Sequence, residues 1–128
     1  MQKRSMRKYH SPGLWTNTCC SHQRDGESTI EAANRRLKEE MGLTIEVKEI
    51  FSFIYKANLK NGLIEHEFDH VLVGYTDINP DINTNEVEDW KWVDMSFLEK
   101  DLDKNPNIYT EWFKIIFLRV KSYIDSLD

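Results

Sequence analysis

From residue 28 to residue 42 the apolar positions Ile30, Ala33, Leu37 and Met41 recur at helical spacing. Ser28 and Glu31 have capping-box spacing, and Gly42 stands where a left-handed residue ends a helix. The pattern predicts a helix there, with Arg36 and Glu40 on one face and Arg35 and Glu39 on another. Further along, the period falls to two. Thr44 to Tyr55 is rich in β-formers, with Phe51, Phe53 and Tyr55 alternating, and Asn58 to Gly62 reads as a hairpin turn. Ile64 to Thr76 alternates strictly: Glu65, Glu67, Asp69, Val71, Val73 and Tyr75 on one face, Ile64, His66, Phe68, His70 and Leu72 on the other. Val87 to Val93 predicts another strand, Asp94 a cap for a short helix over Met95 to Leu102, and Tyr109 to Ile124 an amphipathic terminal helix. Before these, residues 1–8 read as the end of a strand, Ser11-Pro12-Gly13 as a turn, and Leu14 to Cys20 as a short strand. Helices and strands mix without a strict βαβ rhythm, which predicts an α+β (mixed α/β) domain over residues 1–128.

Composition narrows the setting. A 40% apolar and 30% charged chain is that of an ordinary globular domain. The longest apolar run, Ile115 to Leu118, is broken by Arg119, far short of a membrane span. No apolar stretch follows the basic start, so no secretory signal is expected. Cys19 and Cys20 are neighbours and make a poor disulfide pair, which fits a reducing cytoplasm. The net charge of −5 argues against nucleic acid as a partner. An anionic substrate would need a bound metal or a local basic cluster such as Lys3, Arg4, Arg7 and Lys8.

Two clusters carry candidate chemistry. Cys20 and His22 place a thiol two residues before an imidazole, just ahead of the charged helix. His66-Glu-Phe-Asp-His70 matches the zinc-protease pattern, but that motif works only on a helix, and its flanks here have the period of a strand. On a strand, Glu65 and Glu67 lie about 6–7 Å apart, a spacing at which two long carboxylates can chelate one ion.

The box Glu27-x7-Arg35-Arg-Leu-Lys-Glu-Glu-Met-Gly-Leu43 resembles the Nudix signature, with Ser21 in place of its leading glycine and Arg36 in place of the glutamate after its first arginine. Both departures touch parts a Nudix hydrolase uses. The words Tyr9 to His22, Gly62 to His70 and Tyr109-Thr-Glu-Trp112 resemble type 1 isopentenyl-diphosphate isomerases of the Nudix superfamily, and the likeness runs from about Gln2 to Phe117.

The resemblance implies a Nudix-like α/β/α sandwich with a mixed sheet, interconverting isopentenyl and dimethylallyl diphosphate in isoprenoid biosynthesis. Its implied catalytic residues are Cys20, Glu67, Tyr55 and Trp112, with the Trp112 ring facing a carbocation and Cys20 acting as a thiolate. Arg4, Lys8 and Arg36 match diphosphate-contacting positions. His22, Glu65 and Glu67 match ligands of a divalent ion (Mn2+, Mg2+ or Zn2+), and Glu40 matches the holder of Mg2+ on the diphosphate. An acid and a base on opposite faces of the substrate suit protonation of an unactivated alkene, and a π face suits the resulting cation.

In the family a further stretch precedes the position of Met1, bringing opening strands and two more histidine ligands. The expectation is therefore an amino-terminally truncated domain, monomer or weak dimer, that binds metal weakly and isomerises poorly. The alternatives are a Nudix-type diphosphate hydrolase, whose activity would survive loss of Cys20, and a binding domain with no activity. The joint presence of Cys20, His22, Glu65, Glu67 and Trp112 favours the isomerase.

Overall fold

A computed structural model describes residues 1–20, 22–58, 62 and 64–127, without the side chains of Ala57, Glu65, His66 and Glu67. In chain order the elements are β1 (Gln2–Arg4), β2 (Trp15–Thr16), α1 (Thr29–Met41), β3 (Val47–Asn58), β4 (Ile64–Gly74), β5 (Val87–Trp90), α2 (Met95–Lys104), a 3-10 turn (Pro106–Ile108) and α3 (Glu111–Asp125). The expected hairpin turn falls on residues 59–61, outside the described residues.

The expected charged helix is α1, and its ends are set as its sequence predicts. The Ser28 hydroxyl accepts from the Glu31 amide, and the Glu31 carboxylate accepts from the Ser28 amide in return. Gly42 closes the helix at φ 63°, and a Cβ there would sit 2.5 Å from the carbonyl oxygen of Asp81. Only glycine satisfies both conditions. The buried face differs from the expected stripe. Ala32, Leu37, Glu40 and Met41 are buried, whereas Ile30 is 45% exposed. The first turn stands in solvent, and a carboxylate takes an inside place because it finds partners there.

Among the described residues the strands form two antiparallel sheets, β2-β1-β5 and β3-β4, instead of the one mixed sheet expected. A parallel pairing occurs as the isolated bridge from Trp15 of β2 to Tyr109. The strand expected over Leu14 to Cys20 shrinks to Trp15–Thr16 for a local reason. Asn17 donates its side-chain amide to the carbonyl of Cys19 at 2.8 Å, bending the backbone away from the ladder. In the long β3-β4 pair, Tyr55 lies opposite Glu67 and Ala57 opposite Glu65, with one register slip between Glu49 and Phe51. The His66–His70 segment is a strand, so the helix a zinc-protease motif requires is not formed.

Two hydrophobic clusters hold these layers together. One gathers Leu98, Tyr109, Phe113, Ile116 and Phe117, with Trp15, Phe51, Phe53 and Trp112 packed on it. The other gathers Leu37, Met41, Leu43 and Val87, with Cys19 and Trp90 packed on it. The segment from Trp15 to Cys19 therefore crosses the seam between the clusters. A buried hydroxyl pair, Thr16 with Thr110 at 2.9 Å, ties it to the start of α3. Among the described residues no helix is long and apolar enough to cross a membrane.

Candidate active site

The turn after β2 and the first turn of α3 bring three polar groups together. Thr110 caps α3 through the amide of Phe113, and this places Trp112 beside the turn. The Trp112 indole N–H donates to the Asn17 Oδ1 at 3.1 Å and to the Cys20 Sγ at 3.2 Å. Cys20 in turn donates to the same Asn17 oxygen at 3.4 Å. Arg4, at the end of β1, lies over the indole face with its guanidinium carbon 5.2 Å from the ring centroid. Its Nε is held by the His10 carbonyl at 3.1 Å.

Burial pushes the Cys20 thiol up to about 11, although Asn17, Arg4 and Trp112 all act to lower it. At neutral pH this group is a thiol, which corrects the thiolate expected from the sequence: removal from water outweighs a single nearby cation. The Trp112 face is likewise not bare, since it already carries the positive charge of Arg4.

A second cluster forms where α1, the loop after β1 and the start of β5 converge. Arg36 Nη2 meets Glu40 Oε2 at 2.5 Å and Glu86 Oε2 at 3.4 Å. Lys8 Nζ lies 3.7 Å from Glu40 Oε2 and is bonded to Glu86 Oε2. Glu40, Arg36, Glu86 and Lys8 thus close a ring in which charge alternates. Burial alone would lower Arg36, but Glu40, Glu39 and Glu86 outweigh it and raise the guanidinium further. Glu86 is held below the usual carboxylate range, mainly by its bond from Lys8.

Glu40 and Gln2 join the two clusters. The Glu40 side chain is 3% exposed, and its second oxygen accepts from Gln2 Nε2 at 3.2 Å and from Cys19 Sγ at 3.3 Å. Gln2 also reaches the Thr18 carbonyl at 2.8 Å. Burial, then the Glu40 charge, pushes the Cys19 thiol far above the ordinary range, so it serves as a fixed donor.

Of the residues singled out in the sequence, the structure gathers Cys20, Trp112 and Arg4 in one cluster and Lys8, Arg36 and Glu40 in the adjoining one. Tyr55 is 1% exposed on β3, its ring 6.4 Å from that of Phe53, with Glu67 opposite it in register. The side chains of Glu65 and Glu67 lie outside the described ones. His22 is exposed, and its carbonyl accepts from Arg35 at 3.2 Å. Among the described residues no group of three or more His, Cys, Asp or Glu is placed to hold a metal ion. Four partners were not foreseen: Asn17, Gln2, Cys19 and Glu86. An Asn just after a short strand is a legible turn signal. Glu86 has no comparable local signal, because its partners are distant in the chain.

A thiol, an indole and a ring of paired charges beside a charged helix, on a mixed α+β fold, define the class of domain. Comparison with known proteins refines that class. A family model for the NUDIX domain matches residues 1–113. The chain is 51% identical over 122 residues to Isopentenyl-diphosphate Delta-isomerase 2 of Aromatoleum aromaticum, covering 95% of this chain and 65% of that protein. It is 53% identical over 116 residues to Isopentenyl-diphosphate Delta-isomerase 2 of Photorhabdus laumondii, covering 91% and 66%. Against the Isopentenyl-diphosphate Delta-isomerase of Photobacterium profundum the identity is 45% over 129 residues, covering 98% and 72%. The chain belongs to the NUDIX domain family and, within it, to the family of isopentenyl-diphosphate Delta-isomerases. It spans about two thirds of the length of the first of these relatives, 65% and 66%.

Proposed function

We propose that this chain carries the site of an isopentenyl-diphosphate isomerase, which moves a C=C bond by adding a proton at the terminal alkene carbon and removing another from the neighbouring methylene. The observation that carries the reading is the Cys20 thiol held between Asn17 and Trp112 beside the cationic cluster. A diphosphate hydrolase has no use for a protonated thiol bound to an indole N–H; proton transfer at carbon does.

In this mechanism Arg4, Lys8 and Arg36 bind the diphosphate and fix the hydrocarbon end against the Trp112 ring. The ring face that now carries the Arg4 guanidinium is suited to the tertiary carbocation formed on protonation. Cys20 serves on one side of the substrate, and Glu67 with Tyr55 on the other. Cys20 gives the proton held at its Sγ to the terminal alkene carbon, and the Glu67 carboxylate on the other side takes the proton from the neighbouring methylene.

Two divalent ions belong to this reading. By the family likeness Glu40 is assigned Mg2+, and His22, Glu65 and Glu67 the second ion. Bound ions would offset diphosphate charge. Both Glu40 oxygens already meet Arg36, Lys8, Gln2 and Cys19, and among the described residues no ligand set gathers at either place, so no step is routed through an ion.

The test is deuterium uptake from heavy water into isopentenyl diphosphate, followed by NMR with Mg2+ present. Isomerisation that is lost in Cys20→Ala supports the reading. Release of phosphate that persists in Cys20→Ala would replace it with the hydrolase.

A further inference from the structure

Glu86 is absent from the proposed mechanism, yet it contacts cations which that mechanism assigns to the diphosphate. Its Oε2 is bonded to Lys8 and lies 3.4 Å from Arg36 Nη2, so it engages two of the three cations assigned to the diphosphate. Its position is built rather than incidental. The Glu86 amide donates to the Asn83 carbonyl at 2.9 Å, and the Asn83 amide donates to the Glu40 carbonyl at 2.9 Å. On the other side the Ser5 amide donates to the Glu86 carbonyl at 3.3 Å. The backbone of Glu86 is thereby tied both to the helix carrying Arg36 and to the segment carrying Lys8.

We infer that Glu86 is a positioning residue that acts as an internal counter-anion: its carboxylate holds Lys8 and Arg36 together at the diphosphate position and competes with the diphosphate for them. This rests on the diphosphate reading of that cluster. The ring of Lys8, Arg36, Glu40 and Glu86 contains two positive and two negative charges. An incoming diphosphate oxygen must therefore displace the Glu86 oxygen or lie against it, and like charges so placed oppose one another. Until that happens, Glu86 keeps two cations from repelling each other apart. Positioning is gained, and affinity for a bare anion is given up.

The test is calorimetric titration of inorganic pyrophosphate into the full chain, in buffer with chelator and at fixed ionic strength. Glu86→Gln keeps the shape and removes the charge. It is expected to bind pyrophosphate roughly tenfold more tightly, a change opposite in sign to what structural damage would cause. Glu86→Asp, which keeps the charge on a shorter arm, is expected to fall between Glu86→Gln and the unchanged chain. The control is Glu88→Gln, which makes the same change in net charge at a half-exposed pair with Lys3, 3.1 Å apart. It is expected to stay within about twofold of the unchanged chain.

Equal or weaker binding by Glu86→Gln, with its cooperative unfolding intact, overturns the inference. So does an equal gain in Glu88→Gln, which would assign the effect to overall charge. If the unchanged chain takes up no pyrophosphate, or Lys8→Ala leaves its uptake as it was, the diphosphate reading itself fails and the inference falls with it.

Discussion

At one end of the site a thiol, an amide and an indole meet with no formal charge among them, and Arg4 covers the ring from above. At the other end two cations and two carboxylates close a ring around the side of α1. Gln2 and Glu40 are the joint between them. The contrast is between a thiol-centred cluster and a ring of balanced charge. Where charge is absent, burial raises the Cys20 thiol to about 11 and keeps its proton in place. Where charge is dense, each ion is answered by a neighbour, and the helix carrying Glu40 tolerates its burial. In the proposed reading the first arrangement serves proton transfer at carbon and the second receives the diphosphate.

The sharpest way to break this division is to remove the thiol. Cys20→Ala is expected to lower isomerisation on the order of 10³-fold while changing pyrophosphate binding by less than about twofold. A parallel fall in both would mean that the ends are not separate. The reverse experiment is Arg36→Met, which leaves Glu40 buried opposite a single distant cation, Lys8 at 3.7 Å. It is expected to cost about 3 kcal/mol in urea unfolding, because an uncompensated buried carboxylate is the expensive outcome. An unfolding midpoint unchanged by this substitution would show that the ring contributes no stability.

A smaller effect tests the uncharged end alone. A free thiol ordinarily loses its proton near 9.0, and Cys20 does so near 11. At pH 8 it should therefore carry about one hundredth of the usual thiolate, and iodoacetamide should label it about a hundredfold more slowly than an unfolded control. The labelling rate should then climb about tenfold per pH unit until roughly pH 11. Peptide fragmentation that separates Cys19 from Cys20 reads this directly. Labelling of Cys20 at the control rate would show that burial does not raise it above an ordinary thiol.

The two ends were not equally legible in the sequence. Local signals carried both ends of α1, the Ser28 cap and Gly42, because capping and the left-handed glycine act within a few residues. They also carried α2, with Asp94 as its cap, and the β3-β4 pairing, whose alternation set which strands oppose each other. The likeness to a family supplied Cys20, Trp112, Arg4, Lys8, Arg36 and Glu40 as candidates. What stayed hidden was nonlocal. Asn17 meets Trp112 across 95 positions and Arg36 meets Glu86 across 50, contacts that no periodicity encodes. The protonation of Cys20 was hidden for another reason: burial sets it, and a neighbour in sequence does not reveal depth. Burial of Glu40 in place of Ile30 has the same origin, since a helical stripe ranks residues by polarity and ignores partners from elsewhere.

The smallest predicted effect tests whether the helix merely supports the ring or also tunes it. Arg36 and Glu40 stand two turns or more beyond the Ser28 N-cap. Ser28→Ala removes one partner of the capping box and should cost about 1 kcal/mol, because a first-turn amide loses its acceptor. The loss should appear as fraying at the exposed first turn, while Leu37, Met41 and the closure at Gly42 hold the far end in place. Pyrophosphate binding should then remain within about twofold, since both the Arg36–Glu40 contact and the backbone bonds from Asn83 and Asp81 lie beyond the frayed turn. Amide exchange read residue by residue, beside the titration, separates the two outcomes. Faster exchange confined to residues 29–33 with unchanged binding places the ring on the stable end of α1. Loss of binding in step with the cap would mean that the charged end depends on the whole helix.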